Sequence, residues 1–485
     1  MRADGLTDPS LLDAPVHRVL LRVRSSHPPV SEVPVHLLAS LTALLAVTGS
    51  ALTATGPAPS EVWSPLQEAT GSTLAVALDG GSTALISVTG ADEATIVDQR
   101  RAADGALGAA TEVMTVADAE ACRPVDAATA IGNLAVAVEC RLKTDVEEPP
   151  SMLAELVWTG DDGWVWRVQR DAVLGSVDYS PAGQYAVFAT DSEYGRPHHV
   201  TSYHADIGWR DLARRERGRP TIGDIVAAID DSGDVVAIRG AGSEDEPGYW
   251  IGGRLRVETY DAAARTWTRR LTRSYPDGGI DPKGIDVAGG RFSATLVESR
   301  STGKLDGRDS RVVLLTGRPG KPRSWTSPRW GHLVVTATAA ITGDGVGAAS
   351  WQAVGHGRTA RARFATWTPG RERPSVQALP GRTTLTDATA SGDTLDLAVS
   401  ANGRGVIAWV RHRRGADQAS VAGASFRIGS DGQVGDRVDA TWWQPVGASV
   451  AVTTSETSST VTLGRLIAEF YPAPETRFSV VASGG

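Results

Sequence analysis

At 485 residues, with 41% apolar and 21% charged side chains, the chain has the composition of a globular protein and not of a disordered one. Its formal net charge of -8 argues against a dedicated nucleic-acid binder, which carries a strong basic excess. Gly (53) and Pro (26) are frequent, Met (3) is scarce, and Trp (14) outnumbers Phe (6). That balance suits many short strands joined by turns and leaves the tryptophans needing their own explanation.

The first segment with a pattern is HLLASLTALLAVTGSA (His36 to Ala51), whose apolar core runs over residues 37–47. Arg18, Arg22 and Arg24 lie before it and Gly49-Ser50-Ala51 follow it, the order of a cleaved export signal. The core is shorter than the roughly 20 apolar residues a membrane span needs. We therefore expect residues 1–51 to be a leader, 52–60 a short linker and 61–485 one folded domain. The mature chain, starting near Leu52, is expected to be extracellular, monomeric and without a stable membrane span. An uncleaved N-terminal membrane anchor is the alternative.

EVWSPLQEAT (Glu61 to Thr70) then has the look of a strand detached from its sheet. From Leu74 onward, short apolar hairpins recur near Ala128, Val177, Val226, Ile285, Ala337 and Leu395, with a weaker one near Val446. In AVSANGRGVIAWV (Ala398 to Val410), Asn402-Gly403 suggests a two-residue turn, because both residues tolerate positive φ. Each unit continues into a third and a fourth apolar run, as in HHVTSYHADI and GWRDLA. Four antiparallel strands repeating about every 50 residues mark an all-β propeller. Seven or eight four-stranded blades are expected, closed by pairing the N-terminal strand with the C-terminal unit.

The two cysteines, Cys122 and Cys140, flank a hairpin expected to turn at Gly132-Asn133. They should face each other and form a disulfide in an exported protein.

VDYSPAGQYAVFATDS (Val177 to Ser192) resembles the repeat of WD40-like, TolB-type β-propellers. Ser180, Pro181, Gly183, Tyr185, Val187 and Phe188 match that repeat, and Ala182 stands where Asp is usual. Asp231-Ser232-Gly233 and Ala401-Asn402-Gly403 match in outline. The resemblance implies the propeller fold; members often bind proteins or peptides, and fold alone does not set activity.

Candidate chemistry is sparse. Trp164 or Trp166, Trp209, Trp267 and Trp325 recur at the start of fourth strands, with Trp63 in the detached one, as expected of wedges packed between blades. Trp250, in a predicted loop, and Trp442-Trp443 stand outside that pattern. His198 and His204 would share a strand face about 20 Å apart, too far for one metal ion. DDSGD (Asp230 to Asp234) lacks the distant Glu of a calcium loop. No nucleophile elbow, zinc motif or phosphate loop is present. We expect no metal, no cofactor and no catalytic residue.

The long connections fall between second and third strands, hence on one face of the ring, where recognition commonly sits. They carry the candidate binding residues Glu193, Tyr194, Glu244, Asp245, Glu246, Tyr249, Trp250, Arg411, His412, Arg413 and Arg414. A non-enzymatic binding scaffold for a protein or polar polymer is the expected function. The alternative is a propeller hydrolase or lyase acting on extracellular polysaccharide or peptide. Three or more acidic or His side chains converging at the channel would favour that alternative.

Overall fold

The computed structural model describes residues 62–90, 93–143, 151–160, 163–192, 198–212, 224–246, 249–275, 278–301, 308–328, 333–354, 359–384, 394–412, 418–445, 448–465 and 475–482. The segment β1 (Gln67–Thr70) precedes the first complete sheet. Blade 1 is β2 (Ser72–Ala77), β3 (Thr83–Thr89), β4 (Ala94–Arg101) and β5 (Leu107–Val116). Blade 2 is β6 (Ala119–Ala130), β7 (Asn133–Leu142), β8 (Ser151–Trp158) and β9 (Trp164–Arg170). Blade 3 is β10 (Ala172–Tyr179), β11 (Tyr185–Ser192), β12 (His199–His204) and β13 (Gly208–Asp211). Blade 4 is β14 (Ile225–Ile229), β15 (Val235–Glu246), β16 (Tyr249–Asp261) and β17 (Thr266–Tyr275).

Blade 5 is β18 (Gly278–Ala288), β19 (Arg291–Ser301), β20 (Arg308–Arg318) and β21 (Lys321–Thr326). Blade 6 is β22 (Leu333–Ile341), β23 (Gly347–Val354), β24 (Thr359–Trp367) and β25 (Ser375–Ala378), with the short β26 (Thr383–Thr384) also on β24. Blade 7 is β27 (Leu395–Val399), β28 (Arg404–Arg411), β29 (Gln418–Ile428) and β30 (Val434–Pro445). Blade 8 is β31 (Ala448–Thr454), β32 (Ser458–Arg465) and β33 (Glu475–Ala482), completed by β1. The protein is therefore an eight-bladed β-propeller, and every blade is antiparallel.

A four-stranded sheet alternating apolar side chains on both faces needs cover on both. The ring supplies it. Among the described residues there are eight buried apolar clusters, and each bridges two adjacent blades. Leu74, Ile86, Leu134 and Val136 join blades 1 and 2; Val226, Ile238, Phe292 and Leu296 join blades 4 and 5. Ala75, Leu85, Phe478 and Val480 close the circle between blades 8 and 1.

Closure is made by the two ends of the described chain. Gln67 pairs with Phe478 and Thr70 with Glu475. Ahead of the strand, Ser64 N–H donates to Val480 O at 2.8 Å, and Ser479 Oγ donates to Ser64 O at 2.6 Å.

Two turns differ from expectation. At Asn402-Gly403 the turn spans four residues: Gly403 N–H donates to Ser400 O at 2.9 Å, and Ser400 N–H donates to Arg404 O at 2.8 Å. A Gly in left-handed conformation (φ 84) closes a type I turn as well as a two-residue one, so the sequence signal is shared. The same hydrogen bonds recur at Asp230–Gly233 and Thr342–Gly345, and at Ser180–Gly183 with the second bond reaching Tyr185 O. In blade 2 the two-residue turn is Ile131-Gly132, one position earlier than expected, with Ala130 paired to Asn133. Ile131 takes φ 47 there, an unfavourable conformation for a β-branched side chain.

Cys122 and Cys140 are directly opposite in β6 and β7 and form a disulfide. Two stability outcomes follow. Replacing both cysteines by Ala is expected to lower unfolding free energy by about 2–4 kcal/mol in denaturant titration. Ile131→Asn, which suits the turn, is expected to raise it by about 1 kcal/mol in the same measurement.

Candidate functional site

The innermost strand of each blade has a neighbour on one side only. Its other edge faces the channel, with amides that need partners. At the inner strands of blades 4, 6, 8 and 1 the structure supplies them from the preceding blade. Asp178 of β10 accepts the Ile229 N–H of β14 at 2.9 Å, and Ser176 Oγ accepts Ala227 N–H at 2.8 Å. Asp286 of β18 accepts the Ile341 N–H of β22 at 2.7 Å. Asp396 of β27 accepts the Val452 N–H of β31 at 2.8 Å. Thr453 of β31 accepts the Ala77 N–H of β2 at 2.7 Å, which carries the device across the point of closure.

These residues surround a central cavity of about 220 Å³. Asp126, Asp178, Asp286 and Asp396 line it with small residues such as Gly284, Ala339, Thr338 and Thr454. Ile131, Pro181, Ala401 and Glu456, from the turns joining first to second strands, also border it. The cavity therefore meets the short-turn face, opposite the long connections.

Two of these carboxylates, Asp286 and Asp396, are engaged at both oxygens. Asp286 Oδ1 accepts Val287 N–H at 2.7 Å while Oδ2 serves Ile341; Asp396 Oδ1 accepts Leu397 N–H at 2.8 Å while Oδ2 serves Val452. Burial pushes Asp286 up to about 7. Burial also raises Asp178 well above the ordinary carboxylate range, and the charges of Asp286 and Asp126 add to it. Backbone N–H donors at Ile229 and Tyr179 oppose that shift.

A second charged group lies toward the other end of the inner strands. Lys283 Nζ sits 2.7 Å from Asp224 Oδ2. Burial would lower this lysine, but Asp224, Asp281 and Asp191 together hold it above its ordinary value. Asp191 accepts Ile225 N–H at 2.7 Å and lies 3.4 Å from His198 Nδ1. Among the described residues no group of three or more His, Cys, Asp or Glu is arranged to hold a metal ion.

The channel acids are absent from the residues predicted as functional. Their signal was an acid inside an otherwise apolar first strand, as in LDLAV (Leu395 to Val399). Of the predicted binding residues, Glu193, Tyr194, Arg413 and Arg414 lie outside the described residues. Glu244, Asp245 and Glu246 are in β15, and Tyr249 and Trp250 are in β16. The expected loop is thus a paired hairpin, with Glu244 opposite Trp250 and Glu246 opposite Tyr249. Backbone pairing needs no apolar side chain, so a polar run can still be strand. Arg411 ends β28 and donates from Nη2 to Thr441 Oγ1 at 3.0 Å; His412 is buried, at 3% exposure. The structure does not bring these two groups together, since they belong to blades 4 and 7.

The tryptophans divide cleanly. Trp164 Nε1 donates to Asp98, Trp267 to Leu212 O, Trp409 to Pro380 O and Trp63 to Val438 O, each reaching the preceding blade. Trp442 packs edge-on against Trp63, with ring centres 5.2 Å apart, while Trp443 and Trp166 are exposed. In DDSGD, Asp230 accepts from Ser232 N–H and Asp234 N–H, and Asp231 accepts Ala182 N–H from blade 3 at 2.6 Å. These acids build turns.

No family model and no curated protein matches the chain. Among solved structures it is similar to one of two prolyl endopeptidases studied for inter-domain dynamics, at 13% identity and a TM-score of 0.38 over 83% of this chain. It spans about half (47%) of that chain. It is also similar to the β-propeller domain of the Trilobed protease from Pyrococcus furiosus (9% identity, TM-score 0.37, 75% of this chain and 94% of that one). A polysaccharide lyase of the ulvan-lyase PL25 family is similar at 9% identity and TM-score 0.39, over 84% and 93% of the two chains. At these levels the likenesses say nothing of what this chain acts on.

The raised acids have a testable consequence. A folded state that keeps protons the unfolded chain releases loses stability as pH rises. The contribution of Asp286 is fully present below about pH 4 and declines as pH climbs through about 7, and that of Asp178 runs in the same direction. Asp286→Asn keeps an oxygen for the Ile341 N–H and removes one titration. Its melting temperature is expected to fall less than that of the wild type between about pH 5 and pH 8.

Proposed function

We propose that the chain is an exported, non-enzymatic propeller that acts as a binding scaffold for a protein or polar polymer. The observation that carries this reading is the engagement of the channel carboxylates in backbone caps between blades. Glycoside cleavage and general acid–base chemistry need carboxyl groups free to exchange protons with a substrate. Asp178, Asp286 and Asp396 instead hold the amides of the next strand. Four acids do converge on the channel, which by number alone would favour the hydrolase or lyase alternative; their hydrogen bonds weigh the other way.

Recognition is assigned to the face of the long connections, through Glu193, Tyr194, Glu244, Asp245, Glu246, Tyr249, Trp250, Arg411, Arg413 and Arg414. Long elements on a rigid ring suit that task. Export is supported by the Cys122–Cys140 disulfide, since such bonds persist in oxidising compartments, and by the pattern of residues 1–51. The TolB-type resemblance of Ser180, Pro181, Gly183, Tyr185, Val187 and Phe188 agrees with a binding role. The scaffold would work as a monomer, without cofactor and without nucleic acid.

The test combines binding with turnover. Secreted protein is run through gels containing acidic, basic and neutral polysaccharides and mixed with peptide pools, while reducing ends, unsaturated products and new amines are assayed. The reading predicts retention or peptide binding, weakened at least tenfold by Tyr249→Ala with Trp250→Ala, and no product. Turnover abolished by Asp178→Asn or Asp286→Asn would establish the alternative.

A further inference from the structure

Away from the channel, blades 3 and 4 leave a second cavity of about 230 Å³ between them. Its walls include Tyr185, Ser202, His204, Arg210 and Leu212 of blade 3 and Tyr260 of blade 4. No Asp or Glu is among the described lining residues.

Among the polar groups lining this space, Arg210 can only donate. Arg210 is half-buried and, among the described residues, has neither an ion pair nor a side-chain hydrogen bond. Its guanidinium has donors to spare, and their planar fork matches a carboxylate. His204 is oriented on two sides. Its ring packs against that of Tyr185, tilted by 47° with centres 4.5 Å apart, and Nδ1 accepts the Asp206 N–H at 3.1 Å. With Nδ1 an acceptor, the ring proton is on Nε2, which is then a donor. Ser202 adds a hydroxyl. The rings of Tyr185 and Tyr260 and the side chain of Leu212 supply the apolar part of the wall, and Leu212 and Tyr260 are buried.

We propose that this inter-blade pocket is a binding site for a small organic carboxylate. The carboxylate pairs with the Arg210 guanidinium and accepts from His204 Nε2–H, while a planar or apolar body lies against Tyr185, Tyr260 and Leu212. The volume is below the roughly 300–1,000 Å³ of drug-sized sites, so the ligand is small. Inorganic phosphate would match the donors but leave the apolar wall unused.

The probe is 4-hydroxybenzoate, titrated into the secreted full-length protein by calorimetry, with the His204 ring signals followed by NMR. The pocket predicts one site, a shift at His204, and binding at least tenfold tighter than for 4-hydroxybenzamide or inorganic phosphate. Arg210→Gln, with its melting temperature unchanged, should weaken binding at least tenfold, and His204→Phe, which keeps the ring contact with Tyr185, several-fold. No binding at millimolar concentration would overturn the proposal. So would equal binding of acid and amide, equal binding of phosphate, or an unshifted His204. The acid, amide and phosphate comparison on the wild type decides the matter even if a variant misfolds.

Discussion

An innermost propeller strand has an open edge, and at blades 4, 6, 8 and 1 of this protein the preceding blade caps it. Every blade brings such an edge to the channel, where unpaired amides are expensive and also invite pairing with other chains. Asp178, Ser176, Asp286, Asp396 and Thr453 answer that constraint by reaching across to the next blade. Neighbouring sheets are thereby held at their inner ends, while apolar clusters and Trp side chains hold them further out. The bonds are directional where the apolar contacts are not.

This constraint also shapes the functional reading. Acids in the centre of a propeller invite a catalytic interpretation, and their raised proton affinity strengthens the invitation. Structural networks perturb carboxyl groups just as active sites do, and hydrogen-bond partners separate the two cases. Asp286 and Asp396 each accept two backbone amides, one from their own strand and one from the next blade. Glu155 is a parallel case away from the channel. Burial pushes it up to about 7 while Arg167, Thr201 and Gln169 surround it, and nothing about its position suggests chemistry.

The blade repeat was legible because apolar runs at the first three strands recur with turn residues between them. Closure was legible too: QEAT had no partner nearby, and the weak unit after Val446 lacked a strand. The turn at Asn402-Gly403 was misjudged because one left-handed glycine serves two turn types. The ribbon of β15 and β16 was hidden in GAGSEDEPGYW, whose polar side chains conceal a ladder that shifts register twice. The channel acids escaped for a different reason. Asp178 acquires its meaning from Ile229, about 50 residues later and on another sheet, so no local pattern reports it. The pocket at Arg210 and His204 is likewise a product of two blades meeting.

Hydrogen exchange at single amides tests the central claim most directly. The amides of Ile229, Ile341 and Val452 should exchange slowly in the native protein. Each should become fast when, and only when, its own acceptor is removed by Asp178→Ala, Asp286→Ala or Asp396→Ala. If these amides exchange freely in the wild type, or stay protected in the variants, the carboxylates do not hold the blades together. The channel would then have to be reconsidered as a site of chemistry.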